Sequence, residues 1–239
     1  MQIPSFDWCA IDPLTVGVPH PGEQPRIPDL LVETEDHPFP PCLEPINTGQ
    51  RMVPVEGVRT RVMSAYWHTN WPAALPATLL REGASHRLTH AVALLPKGFG
   101  VAVWDAWRDS RLQQRLYDTA YSDPHLAPGF VNPPSQDPRL PSPHSTGGTV
   151  DLTLTWNNHP LALGTGFDEF VPAANARSLE DVAEGGPEVL ARDLRRLLRS
   201  VMVEAGFVQL SYEWWHFEYG TRLWAAVNGV KPIYGEIAF

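Results

Sequence analysis

The chain has 239 residues, 43% of them hydrophobic and 19% charged, which suits one ordinary globular domain with a sizeable core. Its net charge of -9, with no Lys/Arg cluster interleaved with aromatics, excludes nucleic acid and other polyanions as partners. The first 25 residues carry Asp7, Asp12, Glu23 and five prolines without a basic start or an apolar run, so no signal peptide or membrane anchor is expected and the chain is expected to stay in the cytoplasm.

Eleven of the 25 prolines lie within residues 1–60. Each removes a backbone donor and biases its predecessor away from the helical region, so 1–50 is expected to be an extended wrap around a core formed by 51–239, all in one structural domain. Phe6, Trp8, Leu30, Leu31, Val32, Phe39 and Ile46 are its candidate apolar anchors. Cys9 and Cys42 fall here, far from any metal-like spacing, and read as buried thiols.

The β-branched residues Val53, Val55, Val58, Thr60 and Val62 predict a strand or hairpin over 51–66, with Glu56-Gly57 as its turn. A helix is predicted over 76–95 from Leu79, Leu80, Leu88, Val92 and Leu95, with Gly83 as a possible break. A short buried strand follows at 101–104, then a helix over 110–121 capped by Ser110. A loop over 122–143 leads to a strand at 151–156, and 164–176 is a second loop. Residues 188–204 form the clearest amphipathic helix, whose Arg192, Asp193, Arg195, Arg196 and Arg199 face reads as solvated. Gly206 ends it, and a strand from 207 carries Glu213 to His216.

Two segments carry chemistry. Ser142-Pro143-His144-Ser145-Thr146-Gly147-Gly148-Thr149-Val150-Asp151 offers an imidazole and a carboxylate across a Gly-Gly turn, and Glu213-Trp214-Trp215-His216 offers an imidazole with a glutamate three residues earlier. Alone, the first reads as a polar loop and the second as an aromatic core strand. Together, His144, Asp151 and His216 can supply the three protein ligands of a catalytic zinc site, leaving one position for water and Glu213 for that water's protons. An offset of three places Glu213 and His216 on opposite faces of a regular strand, so a bend or bulge is required between them. His86 and His90 stand four apart as on a helix, but Arg87 replaces the glutamate of the helical zinc motif, and they read as surface residues. Arg108 by itself reads as a surface ion pair with Asp105 or Asp109, and Asp168 as a loop-capping carboxylate.

These segments resemble the zinc DD-peptidase family, most closely its D-alanyl-D-alanine dipeptidase branch, the type found in vancomycin resistance. Ser142, His144, Gly147 and Asp151 meet its Ser-x-His-x-x-Gly-x-x-x-Asp pattern, and Glu213, Trp215 and His216 meet its Glu-x-Trp-His. Trp104-Asp105-Ala106-Trp107-Arg108 matches its Trp-Asp-x-x-Arg strand end, and Gly164-Thr165-Gly166-Phe167-Asp168 its Gly-x-x-Phe-Asp loop. The resemblance, over about 50–220, implies an α+β fold with a central, largely antiparallel sheet flanked by helices. It implies one zinc ion on His144, Asp151 and His216, Glu213 as general base and acid, and Arg108 as transition-state stabiliser. Asp168 is implied to receive the substrate ammonium, with Ser142 and Tyr66 also at the substrate; around Tyr66 the chain departs from the branch's Asn-aromatic-Gly loop.

The implied activity is hydrolysis of D-alanyl-D-alanine or a similar short D-amino-acid dipeptide. The alternatives are a related peptidoglycan peptidase (DD-carboxypeptidase or L-alanyl-D-glutamate endopeptidase), a catalytically silent zinc-containing binding module, and a metal-free structural protein. Asp168 speaks against the first, and the retained Glu213 and Arg108 against the second.

Overall fold

A computed structural model describes residues 6–43, 49–125 and 131–237. In chain order the elements are β1 (Met52–Pro54), β2 (Thr60–Val62), α1 (Ala65–His68), β3 (Leu79–Arg81), α2 (Glu82–Leu94), β4 (Phe99–Asp105) and α3 (Ser110–Ala120). These are followed by β5 (Thr149–Trp156), β6 (His159–Pro160), α4 (Val189–Glu204), β7 (Val208–Gln209), β8 (His216–Glu218) and α5 (Arg222–Asn228). The architecture is α+β. A central sheet runs β2-β4-β5-β8-β7, with β6 paired to the far end of β5, and only the β2–β4 pair is parallel.

The long central strands β4 and β5 are buried on both faces. On β5 the period of two sends Val150, Leu152 and Leu154 to one face and Asp151, Thr153 and Thr155 to the other, and every one of them is buried. On β8 the same alternation separates Phe217 from His216 and Glu218. α4 lies against β5, β7 and α2, and closes the core on its side. No helix among the described residues is long and apolar enough to cross a membrane.

The region 51–66 is not a hairpin. β1 pairs antiparallel with β3 in a separate two-stranded sheet, whereas β2 joins the central sheet beside β4. The helix expected over 76–95 starts only at Glu82. Leu79 and Leu80 belong to β3, because tertiary partners decide this stretch: Arg81 donates from its backbone to Gly147 O at 2.8 Å and from Nε to Thr146 O at 2.8 Å. Gly83 does not break α2. It sits in the first turn, where its N–H has no partner within the helix and donates instead to Gln50 Oε1 at 3.0 Å. α3 is capped by Asp109, whose carboxylate accepts from Arg111 N at 2.7 Å, rather than by Ser110.

The polar face of α4 is not solvated. Arg192, Asp193 and Arg195 are buried, the two arginines against the segment 163–188 and Asp193 beside His20 of the N-terminal segment at 2.8 Å. Arg195 donates to the carbonyls of Leu163, Ala173 and Asn175 and to Ser178 Oγ, while Arg192 pairs with Glu184 and Arg196 with Glu180. A buried guanidinium with several donors satisfied is a tether for irregular backbone, and here it holds the loop that carries Asp168.

Residues 6–43 are held to the core at intervals. Trp104 Nε1 donates to Cys9 O at 3.2 Å, Ile11 bridges Leu161, Arg177 Nε donates to Ile27 O at 3.2 Å, and Cys42 N donates to Arg139 O at 2.8 Å. Phe6 is buried, but Trp8 and Leu31 are exposed and Leu30, Val32 and Phe39 half-buried; Val18 and Ile27 are the anchors that the composition did not single out. Ile46 lies outside the described residues, as do 126–130 of the loop over 122–143. Cys9 and Cys42 are both buried, with no disulfide between them.

Candidate metal centre and its cavity

The centre is built on a row of three strands. Asp105 of β4 stands opposite Asp151 of β5, and Asp151 opposite His216 of β8, so adjacent strands present these side chains side by side. The register shift between Val103 and Asp105 at the end of β4 brings Asp105 into that row. His144 arrives from outside the sheet, on a 3-10 turn spanning Pro143–Thr146. That turn is pinned: Arg108 N donates to His144 O at 3.3 Å, Ile237 N to Ser145 O at 2.9 Å, and Arg81 to the carbonyls of Thr146 and Gly147.

The Gly-Gly pair serves two needs. Gly147 has φ +72°, the left-handed region. Gly148 is needed for space, since a Cβ there would lie 2.2 Å from Tyr219 O.

The ligand atoms converge. His144 Nε2 is 3.3 Å from Asp151 Oδ2, and His216 Nδ1 is 3.1 Å from Asp151 Oδ1. Donor and acceptor roles follow from the partners behind each ring. Ala106 O can only accept, so His144 donates to it from Nδ1 at 2.6 Å and leaves a lone pair on Nε2. Glu218 Oε1 lies 2.9 Å from His216 Nε2, and a ring that donates there keeps its second lone pair on Nδ1. Asp151 Oδ1 and His216 Nδ1 are buried without a hydrogen-bond partner. With the rings in these tautomers three acceptors face one point, an arrangement that a cation between them satisfies.

The separations also suit a small tetrahedral ion, because metal–ligand bonds of about 2.0–2.1 Å place neighbouring ligand atoms roughly 3.3 Å apart. The electrostatics agree. Burial opposes ionisation of both groups, yet Asp151 is held below the usual carboxylate range by His144 and His216, and His216 well above its ordinary value by Asp151, Glu213 and Glu218. Positive charge is favoured where the three side chains meet, and His144, Asp151 and His216 form the one such ligand group among the described residues.

Glu213 lies on the turn between β7 and β8, 8% exposed, with Oε2 3.4 Å from His216 Nδ1. This turn is the expected bend: Trp214 N donates to Ala174 O at 2.9 Å and Leu210 N to His216 O at 3.1 Å. Arg108, far from being a surface residue, is 7% exposed. Its Nε donates to Asp105 Oδ2 at 2.9 Å, Nη1 to Gln113 Oε1 at 2.7 Å and Nη2 to Tyr66 OH at 3.3 Å, and it stands 3.6 Å from Asp151 Oδ2. Asp109 is engaged elsewhere.

Asp168 adopts φ +53° and accepts a hydrogen bond from the Tyr66 hydroxyl. Phe167 sets it there, buried against Phe6, Tyr66, Trp104 and Trp215. Burial, with Glu213 and Asp151 adding, holds the Asp168 carboxyl well above the usual range, although Arg108 and Tyr66 oppose the shift. Burial raises Tyr66 as well. Tyr66, Arg108, His144, Asp151, Asp168, Glu213 and His216 line a cavity of about 660 Å³, which Leu31 and Phe39 of the N-terminal segment also line. Ser142 also lines it, with only a 3.5 Å contact from Oγ to Pro133 O, whereas its carbonyl accepts from Ser145. His86 and His90 are exposed on α2, away from the centre.

Sequence reasoning did not single out Glu218 or Gln113. The signal for Glu218 was present, since two residues past His216 on a strand is the same face. Gln113 stands five residues after Arg108, in the first turns of α3, and its side chain turns back to meet the guanidinium there.

A buried two-histidine, one-carboxylate cluster with a glutamate and an arginine beside it in a cavity defines a candidate mononuclear metallohydrolase centre on an α+β scaffold. The model of the D-Ala-D-Ala dipeptidase family matches residues 72–230, and the chain belongs to that family of metallopeptidases. A D-alanyl-D-alanine dipeptidase of Synechocystis sp. is 28% identical over 244 residues, covering 85% of this chain and 97% of that protein. The D-alanyl-D-alanine dipeptidase of Escherichia coli is 32% identical over 142 residues, 59% of this chain and 66% of that one. That of Enterococcus faecium is 28% identical over 141 residues, 51% and 62% respectively.

Proposed function

We propose that this protein is a zinc dipeptidase that hydrolyses D-alanyl-D-alanine or a closely similar short D-amino-acid dipeptide. The observation that carries the reading is the convergence of His144 Nε2, His216 Nδ1 and the Asp151 carboxylate, two of whose atoms are buried and unpartnered, at a cavity that also holds Glu213 and Arg108. His144, Asp151 and His216 would hold the ion, and an N/N/O set of three suits zinc in a catalytic role. When bound there, zinc acidifies a water molecule and polarises the peptide carbonyl.

The chain's own residues supply the rest. Glu213 takes a proton from the attacking water on a carboxylate oxygen and returns it to the departing amine nitrogen. Arg108, preorganised by Asp105 and Gln113, faces the oxyanion that develops on the carbonyl. Burial disfavours the charge on Asp168; an arriving ammonium opposes that shift and donates a charge-assisted hydrogen bond to the carboxylate, with Tyr66 holding it in place. Reading a free amine selects dipeptides and rejects chains whose amine is acylated. Ser142 lies where the substrate backbone or carboxylate passes.

The test compares release of D-alanine from D-alanyl-D-alanine, from its N-acetylated form and from a muropeptide by the zinc-loaded protein, with Glu213→Gln as control. Free dipeptide is expected to be strongly preferred and the control inactive. Preferred cleavage of the acylated substrate points to a peptidoglycan carboxypeptidase or endopeptidase instead, and equal, negligible rates for protein and control remove the enzyme altogether.

A further inference from the structure

We propose that Glu218 is a positioning residue for the metal centre: it selects the His216 tautomer whose Nδ1 faces Asp151 and His144, and its charge strengthens that nitrogen as a ligand. The proposal rests on the zinc reading above.

β8 places the two residues for this. His216 and Glu218 stand two apart on one strand face, with Phe217 turned into the core, so the carboxylate reaches the ring nitrogen that points away from the ligand cluster. Glu218 Oε1 is 2.9 Å from His216 Nε2, and Glu218 is 1% exposed. Such a carboxylate normally recruits a lysine, an arginine or several N–H donors. Here, among the described residues, Glu218 pairs with His216, and its Oε2 has no hydrogen-bond partner. A buried charge spent on one imidazole is poor value for stability, but it suits a ligand whose ring must be oriented and made more basic.

The two histidines differ in this respect. Behind His144 stands a neutral acceptor, Ala106 O at 2.6 Å, with the Asp105 carboxylate further off at 3.6 Å. Behind His216 stands a carboxylate in direct contact. Both arrangements fix the tautomer, and only the second pushes charge toward the ion.

The experiment measures zinc affinity by chelator competition for the intact chain and for Glu218→Gln and Glu218→Ala. Ring ¹⁵N shifts of His216 in the zinc-loaded wild type are read alongside. The alanine variant is expected to bind zinc about 10–100-fold more weakly, the usual cost of losing such a partner. The glutamine variant, equal in size and uncharged, is expected to lose about tenfold, because its amide can also present an N–H and favour the wrong tautomer. The wild-type spectrum is expected to show Nε2 protonated and Nδ1 bound.

Variants within about twofold of wild type, or a wild-type spectrum with Nδ1 protonated, overturn the proposal while leaving the zinc reading intact. A wild type that binds no zinc overturns both. Should the alanine variant not fold, the glutamine variant and the wild-type spectrum still decide.

Discussion

Replacing Arg195 by methionine separates a solvated helix face from a structural tether. Methionine keeps most of the stem's packing but removes a guanidinium that is 1% exposed, donates four hydrogen bonds of 2.7–3.1 Å and sits 5.2 Å above the Trp214 ring. Leu163 O loses its donor in a buried place, which costs about 1–3 kcal/mol. The bonds to Ala173, Asn175 and Ser178 are part-buried, so water replaces some of them and each loss is worth about 0.5–1.5 kcal/mol. Relief of the guanidinium's desolvation offsets part of the sum, and a net loss of about 3 kcal/mol is expected. Urea unfolding followed by tryptophan fluorescence measures it. Because the tethered segment carries Asp168, KM for the dipeptide is expected to rise while zinc content stays the same. A solvated arginine would change stability by no more than about 0.5 kcal/mol, and a result of that size refutes the tether.

Gly148→Ala drives a Cβ to 2.2 Å from the Tyr219 carbonyl, a backbone atom that cannot yield cheaply; a loss of about 1–3 kcal/mol is expected, seen calorimetrically as a fall in Tm of roughly 2–12 °C. Arg108→Met is expected to lower kcat by about 10² or more while zinc binding by chelator competition is retained; an unchanged kcat would remove it from the oxyanion's surroundings. Burial pushes both the Cys9 thiol and the Tyr234 hydroxyl up to about 12, so the folded chain keeps protons that the unfolded chain releases from about pH 9 upward. Their contribution to stability is therefore complete below pH 9 and is lost as pH rises toward 12; Cys9→Ala should flatten the decline of the urea midpoint over that range, and an unaltered slope would contradict the burial of that thiol.

The donor types were legible in the sequence because each pair of functional residues lies within one short segment: His144 with Asp151, Glu213 with His216, Asp105 with Arg108. The three side chains that the sequence offers as candidate ligands are the three that the structure brings together, and the bend required between Glu213 and His216 is present as the β7–β8 turn. What sequence periodicity does not carry is how the segments meet. That depends on the register of three strands, which sets Asp105, Asp151 and His216 in one row, and on a shift at the end of β4 that no residue type announces.

The misread elements share a cause. Leu79 and Leu80 satisfy a helical spacing, but Arg81 is claimed by the carbonyls of the His144 turn, so the chain there is drawn into β3. The arginines of α4 satisfy an amphipathic pattern whose polar side is normally wet, yet the segment 163–188 meets them: Arg195 donates to its backbone, and Arg192 and Arg196 pair with its Glu184 and Glu180. On α4 the guanidiniums looked like surface charge because a linear pattern shows polarity and not what lies across from it. The same substitution of long-range partners for local propensity supports the functional groups. Arg81 fixes the turn bearing His144, and Arg195 fixes the loop bearing Asp168. Irregular backbone brings those two residues to the sheet, and buried arginines satisfy its carbonyls where no strand could pair with them.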